Sequence, residues 1–319
     1  MAIVSFKYGP RITLWDKNTY FGNYGYWAAG SRSGVDTARI DRIVFPSDTL
    51  SVISATLTST VGAYASYANS GYATGAGYAA GGYAGAFVSR IDKLRFSDEV
   101  KSTLSATLST ARYSIAGFAN SGTAGYAATG NQNGTLTTTI DKLLFSNETN
   151  SALSETISNG RMYANGFGNT GTAGYVFGGN ANSGGRQSDI QKLLYSNDTR
   201  SILSATLGQV TQSPVGAANV GVAGYSVGGF SQSPDRQLTV IDKLLFSNET
   251  RSTLTYNLVD GRNDGTAFAQ AGKALYATTG DPQRNYITKI SFPTDTGSVV
   301  SATFSGVVGT TGGFSNCAG

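Results

Sequence analysis

The chain contains no histidine and a single cysteine, Cys317. The first absence excludes Ser-His-Asp and Cys-His catalysis, the HExxH zinc site and every imidazole-ligated metal. The second excludes an intrachain disulfide and a CxxC metal cluster. Charge is also scarce: Asp, Glu, Lys and Arg make up 13% of the chain, against roughly 25% in an ordinary soluble domain. The net charge of +4 is spread without a Lys/Arg run, so nothing offers the basic stripe that nucleic-acid binding needs. No apolar run is long enough to insert into a membrane, and the least polar stretch, 76–88, is mostly Gly, Ala and Tyr. Residues 1–8 lack the charged-then-apolar layout of a secretory signal. The expectation is a soluble protein made in a cytoplasm, without metal or cofactor and not an enzyme.

What the chain has instead is 42 Gly, 18 Tyr, 15 Phe and a repeat. The decad Ile140-Asp141-Lys142-Leu143-Leu144-Phe145-Ser146-Asn147-Glu148-Thr149 returns unchanged at Ile241 to Thr250. Related copies are expected to begin at Ile40, Ile91, Ile190 and Ile290, six in all at spacings of 49 to 51 residues. A Gly-Tyr signature precedes five of them, as in Gly25-Tyr26, Gly77-Tyr78 and Gly125-Tyr126, with a looser version at 274–280 before the sixth, and a segment like Leu-Ser-Ala-Thr-Leu follows. A period near 50 residues belongs to propellers and other arrays whose units cannot bury their faces alone. Each unit reads as four short strands: 116–120, 125–128, 139–145 and 152–157 in the clearest copy. Asn-Ser-Gly and Ser-Asn-Glu-Thr turns punctuate them, and no Gly-free helical period lasts 12 residues. Small residues in the first two strands suit sheets that converge on an axis. The repeat begins with a second strand at Gly25, and residues 312–317 match a first strand, so the last segment is expected to complete the first blade. Residues 25–319 then form an all-β, six-bladed propeller, and residues 1–24 a separate amino-terminal arm.

Most carboxylates recur with the repeat. Asp41, Asp92, Asp141 and Asp242 fall in the third strand; Asp48, Asp98, Glu99, Glu148, Asp198, Glu249 and Asp295 fall in the turn that follows it. Recurrence in successive units points to turn and strand-edge bonding rather than to a single active site. Asp260 and Asp264 are the one close pair outside that pattern, and they read as a loop paired with Arg262. The Asn-x-Thr triplets at Asn147, Asn197 and Asn248 read as turn chemistry.

The repeats differ in the loops between strands two and three and between one unit and the next. In a four-stranded blade these share one face. Their Tyr, Phe, Arg, Asn and Gln side chains have the composition of a recognition surface, or of drift on unconstrained loops. The candidate ligand-binding residues are Tyr83, Phe87, Arg112, Tyr113, Asn131, Gln132, Arg161, Tyr163, Asn182, Arg186, Phe230, Gln232, Arg236 and Arg262.

The chain resembles the kelch family over residues 25–319. The resemblance rests on Gly pairs after the second strand (Gly81-Gly82, Gly178-Gly179, Gly228-Gly229) and on an Arg before the first (Arg112, Arg161, Arg262). The usual fourth-strand Trp is replaced near Leu104, Leu153, Leu203 and Leu254. This implies a kelch-like propeller and says little of activity. The decad followed by Leu-Ser-Ala-Thr-Leu is similar to repeat proteins of tailed phages, particularly those of cyanobacteria. That likeness implies a non-enzymatic virion protein of tail, fibre or baseplate, with other virion proteins or a host surface glycan as partners. A carbohydrate-binding propeller and a kelch-type protein-interaction scaffold remain alternatives. The arm carries Phe6, Tyr8, Trp15, Tyr20 and Phe21. It either packs on its own propeller or docks into another subunit, and docking would allow an oligomer.

Overall fold

The computed structural model describes residues 23–33, 35–60, 62–70, 75–182, 185–232, 235–278, 280–281, 284–309 and 312–315. The arm residues Phe6, Tyr8, Trp15, Tyr20 and Phe21, and residues 316–317 of the expected closing strand, lie outside these described residues. Every regular element within them is a β-strand, and the strands form small antiparallel sheets in a propeller arrangement.

The third-strand decad shows why the chain adopts this form. Ile140, Asp141, Leu143 and Phe145 are buried while Lys142 and Leu144 are half-buried, so both faces of the strand are covered by neighbouring sheets. Its sheet runs Ala116–Asn120, Ala124–Ala128, Thr139–Leu144, Thr149–Thr156. The same order holds for Ala65–Asn69, Ala76–Ala80, Arg90–Arg95, Lys101–Thr107 and for Val215–Asn219, Ala223–Val227, Ile241–Leu245, Arg251–Thr253. It holds again for Ala267–Gln270, Ala274–Ala277, Thr288–Ser291, Thr296–Val299. In Asn165–Asn169, Ala173–Phe177, Gly185–Leu194, Arg200–Gln212 the outer hairpin is long and joins loop strands into an eight-stranded composite. Gly312–Ser315 pairs with Tyr24–Arg32, Gly25 opposite Ser315 and Ala28 opposite Gly312, and Val35–Val44 and Thr49–Thr56 extend that sheet.

One register differs from expectation. The decad copy expected to begin at Ile290 begins at Ile287, because Lys289, not Phe292, lies opposite Tyr276 as Lys142 lies opposite Tyr126. Shorter loops in this unit obscure the spacing. Thr288, fully buried, stands where Asp141 stands in its own copy.

The inner strands touch in a closed circuit: 65–69 against 116–120, then 165–169, 215–219, 267–270, 312–315 and back to 65–69. Close approach is made possible at the second strand. A Cβ on Gly125 would sit 2.1 Å from the ring of Tyr67 in the preceding sheet, so only glycine fits. Gly174 faces Phe118, Gly224 faces Phe167, Gly25 faces Phe268 and Gly77 faces Phe314 in the same way. Where Leu275 replaces this glycine, Ala217 replaces the aromatic, and the two share one buried cluster. Knob and hole have exchanged sides.

Polar contacts repeat the same step. The buried second-strand Tyr and the third-strand base reach the turn carboxylate of the next sheet: Tyr126 and Lys142 meet Asp198 at 3.4 and 2.6 Å. Tyr26 and Arg42 meet Glu99, Tyr78 and Lys93 meet Glu148, Tyr175 and Lys192 meet Glu249, and Tyr225 and Lys243 meet Asp295. Tyr276 and Lys289 meet Asp48 at 2.7 and 2.6 Å, joining the last sheet to the first. Each of these carboxylates sits on a left-handed residue, φ 51 to 56°, a conformation uncommon outside glycine. Before Glu148, Asp198 and Glu249 an Asn closes the turn, as Asn147 does by accepting from the Thr149 amide and hydroxyl. Partly exposed ion pairs of this kind contribute about 1 kcal/mol or less each. Their effect is to select the neighbour, while the buried rings supply the stability.

Candidate functional site at the axial mouth

The loops that differ between repeats are clipped at their stems. The residues just before each inner strand pair with the loop between the second and third strands of the same sheet. Gly62 pairs with Tyr83 and Tyr113 with Asn131; Met162 pairs with Asn180, Gln212 with Phe230, and Asn263 with Asp281. The Gly pair and the Arg of the linkers belong to one device. Gly82, Gly130, Gly179 and Gly229 have φ near +100° and donate their amides to the carbonyls of Arg112, Arg161, Thr211 and Arg262. A side chain is strained at that φ, so the second position of the pair requires glycine, while the first, at lower φ, accepts Thr129.

The arginines are not on the loop surface. Arg112 is fully buried: its guanidinium donates to the Thr129 and Ala127 carbonyls at 2.8 and 2.9 Å and pairs with buried Asp141 at 2.7 Å. Arg161 is buried with a two-pronged pair to Asp189 at 2.7 and 3.0 Å. Arg262 is buried over the Tyr286 ring, reaching Asp260 at 3.5 Å, with Nε and Nη1 unpaired among the described residues. Their placement is a correction to their reading as surface contacts: each needs its charge satisfied internally and is held inside the blade.

The remaining candidates stay near the face in two groups. Phe87 and Tyr113 stack at 5.3 Å with planes 7° apart, and Tyr83 tilts against both at 5.6 and 6.1 Å with half its surface open. Arg186 lies over Phe230 at 4.4 Å and bonds Gln212 and Asp235 at 3.2 and 2.7 Å, and the Ser231 carbonyl as well. Asn131 holds its own hairpin through the Gly134 amide at 2.7 Å. Gln132, Asn182, Gln232 and Arg236 are exposed at the loop tips.

Between these groups the inner strands enclose a cavity of about 110 Å³ at the loop end of the axis. Its rim is a column of equivalent positions, Ala63, Ser114, Tyr163, Ser213 and Asp264, all left-handed with φ 52 to 58°. The Ser114 amide donates to Ala63, Ser213 to Tyr163 and Asp264 to Ser213, linking one sheet to the next. Ser66, Asn165 and Thr266 line the wall below. The Ser114 and Ser213 hydroxyls, 4% and 6% exposed, meet no partner in bonding geometry among the described residues, although Tyr163 and Asp264 lie beside them. Burial pushes the Asp264 carboxyl above the usual carboxylate range. It also pushes the Tyr163 phenol up, with Tyr113 and Asp264 adding to the effect.

Asp260 and Asp264, four positions apart in sequence, have separate environments. Burial of Asp260 acts to raise its pKa, but hydrogen bonds from Tyr286 and Arg284 and the Arg262 charge outweigh it, leaving a net lowering. Among the described residues no group of three or more His, Cys, Asp or Glu side chains converges as a metal site. The axial rim is invisible to motif searching because its residue type is not kept from repeat to repeat. Its signal is positional: the five residues recur at spacings of 49 to 51, four of them two residues after the Arg or Thr of the linker. The opposite axial opening, about 150 Å³, is lined mainly by Gly, Ala and Phe.

The fold and this site define a β-propeller with a clipped, loop-built face around a polar axial cavity. No protein-family model and no curated protein sequence matches the chain.

Proposed function

We propose that the chain is a six-bladed, kelch-like propeller acting as a non-enzymatic virion protein of a tailed phage, in tail, fibre or baseplate. Its loop face contacts neighbouring virion subunits or the host surface, and the arm, residues 1–24, supplies an attachment point. Six blades are favoured over five because each Tyr-base-carboxylate set joins one sheet to the next and the last returns from Tyr276 and Lys289 to Asp48. A five-blade division leaves one set and one inner strand unassigned.

The observation that carries the functional reading is the loop face itself. Its stems are pinned by short ladders, while an open aromatic group, Tyr83 with Phe87 and Tyr113, is presented on them. A rigid frame with exposed aromatic side chains is the design of a contact surface. The repeated carboxylates are taken up in contacts between blades, which supports a binding rather than a catalytic role. The phage assignment rests on the likeness of the decad to phage repeat proteins. Gold-labelled antibody raised against this chain should mark the tail of intact particles in electron micrographs. Particles that carry no label, with the protein confined to the lysate, would refute the virion reading.

A further inference from the structure

The axial cavity and the aromatic group are neighbours along the chain. Gly62 pairs with Tyr83 and is followed by rim residue Ala63; Tyr113 is followed by rim residue Ser114. Tyr163, on the rim, is close enough to Tyr113 and Asp264 for both to raise the pKa of its phenol. An aromatic cluster therefore adjoins, one residue away along the chain, a pocket of hydroxyl, amide and carboxyl groups.

We infer that this mouth binds a neutral saccharide, with one sugar edge in the cavity and the adjoining ring on the Tyr83-Phe87-Tyr113 shelf. This deepens the reading of the loop face as a contact surface and rests on it.

Three features select that ligand class. The cavity presents both donors and acceptors: the Ser114 and Ser213 hydroxyls, Asn165, Thr266 and the Asp264 carboxyl. Vicinal hydroxyls can satisfy such a set, whereas an apolar group would leave buried polar atoms unpaired. Asp264 is the only formally charged side chain among the described lining residues, so an anionic ligand would be repelled and no cationic group exists to hold it. A pyranose has a C–H face that packs on an aromatic plane and a hydroxyl edge that does not. A space of about 110 Å³ takes that edge and leaves the rest of the ring to the shelf.

The test is an array of neutral and acidic oligosaccharides probed with the full chain, followed by titration of the free oligosaccharide. Asp264→Asn keeps the side-chain shape and tolerates the left-handed backbone, and should weaken binding about tenfold or more by loss of a charged acceptor. Tyr83→Ala, on an exposed ring, should weaken it about threefold to tenfold. Arg95→Ala, on an exposed ion pair in the turn between third and fourth strands, should leave it unchanged. Binding confined to acidic glycans, no binding to any sugar, or neutral-sugar binding indifferent to both Asp264→Asn and Tyr83→Ala overturns the inference. Antibody labelling of particles is independent of these results, so a labelled virion that binds no sugar refutes the saccharide site alone.

Discussion

Replacing Arg112, Arg161 and Arg262 by methionine tests whether these equivalent residues are internal struts. Methionine keeps the apolar stem and removes the guanidinium. In Arg112→Met the Asp141 carboxylate stays fully buried with only the Ser109 amide and hydroxyl and the Asn150 amide as donors, at 3.0, 3.0 and 2.9 Å. Breaking a buried pair costs about 3–5 kcal/mol, and the carbonyls of Thr129 and Ala127 each lose a buried donor. A loss of about 4 kcal/mol is expected, or roughly 8 °C at about 2 °C per kcal/mol for a chain of this length. Arg161→Met should cost about 2 kcal/mol, because Asp189 is 23% exposed and can be hydrated. Arg262→Met should cost about 1 kcal/mol or less: burial already lowers the Arg262 pKa, and Asp260 keeps Arg284 and Tyr286. Urea unfolding followed by circular dichroism reads the order 112 > 161 > 262. Equal small losses at all three sites, or the largest loss at Arg262, would refute the burial argument.

Other expectations follow from the same contacts. Asp264→Asn should raise the melting temperature at pH 7. The folded-state pKa of Asp264 is raised, so the wild-type penalty is full above that pKa and fades as pH falls towards about 4, where the gain should vanish; a pH-independent gain would contradict this. Asp92 and Asp260 have lowered pKa values. Their stabilisation is present above about pH 4 and lost as acid protonates the folded carboxylates, so removing either should flatten the acid limb of a stability-pH curve. Leu275→Gly should cost about 3–5 kcal/mol by opening a buried hole, and Ala217→Phe about 1–3 kcal/mol by overpacking. Calorimetry should show the double variant recovering at least about 2 kcal/mol of the summed loss; simple additivity would refute the exchange of knob and hole. Deleting residues 312–319 should expose an unpaired edge on residues 25–28 and cause aggregation or a large loss of thermal stability; an unchanged melting curve would rule out a closing strand.

Much of the architecture was legible because the decad repeats and its alternation marks a strand. The function of its individual letters was not. Asp141 bonds a loop 32 residues back, while Tyr126 and Lys142 reach Asp198, 72 and 56 residues ahead. Such partners exist only once neighbouring sheets stack, so periodicity gives the column but not the contact. The unit at Ile287 was misread as Ile290 because a spacing rule cannot detect a shortened loop. The three arginines share the composition of a recognition loop, yet the chain geometry turns them inward. Only burial separates Arg112 from exposed Arg236. The axial rim was missed for the opposite reason: its position is constant and its residues are not.

A zero-length carbodiimide cross-link, which joins an amine to a carboxylate in contact, tests the closed ring most directly. Peptide mass spectrometry of the native chain should recover Lys93–Glu148, Lys142–Asp198, Lys192–Glu249 and Lys243–Asp295 as links between successive sheets. It should also recover Lys289–Asp48, spanning 241 residues and closing the circuit. Loss of all five links in urea would tie them to the fold. If the four internal links form and Lys289 is found unlinked, or joined to another carboxylate, the ring is not closed as described.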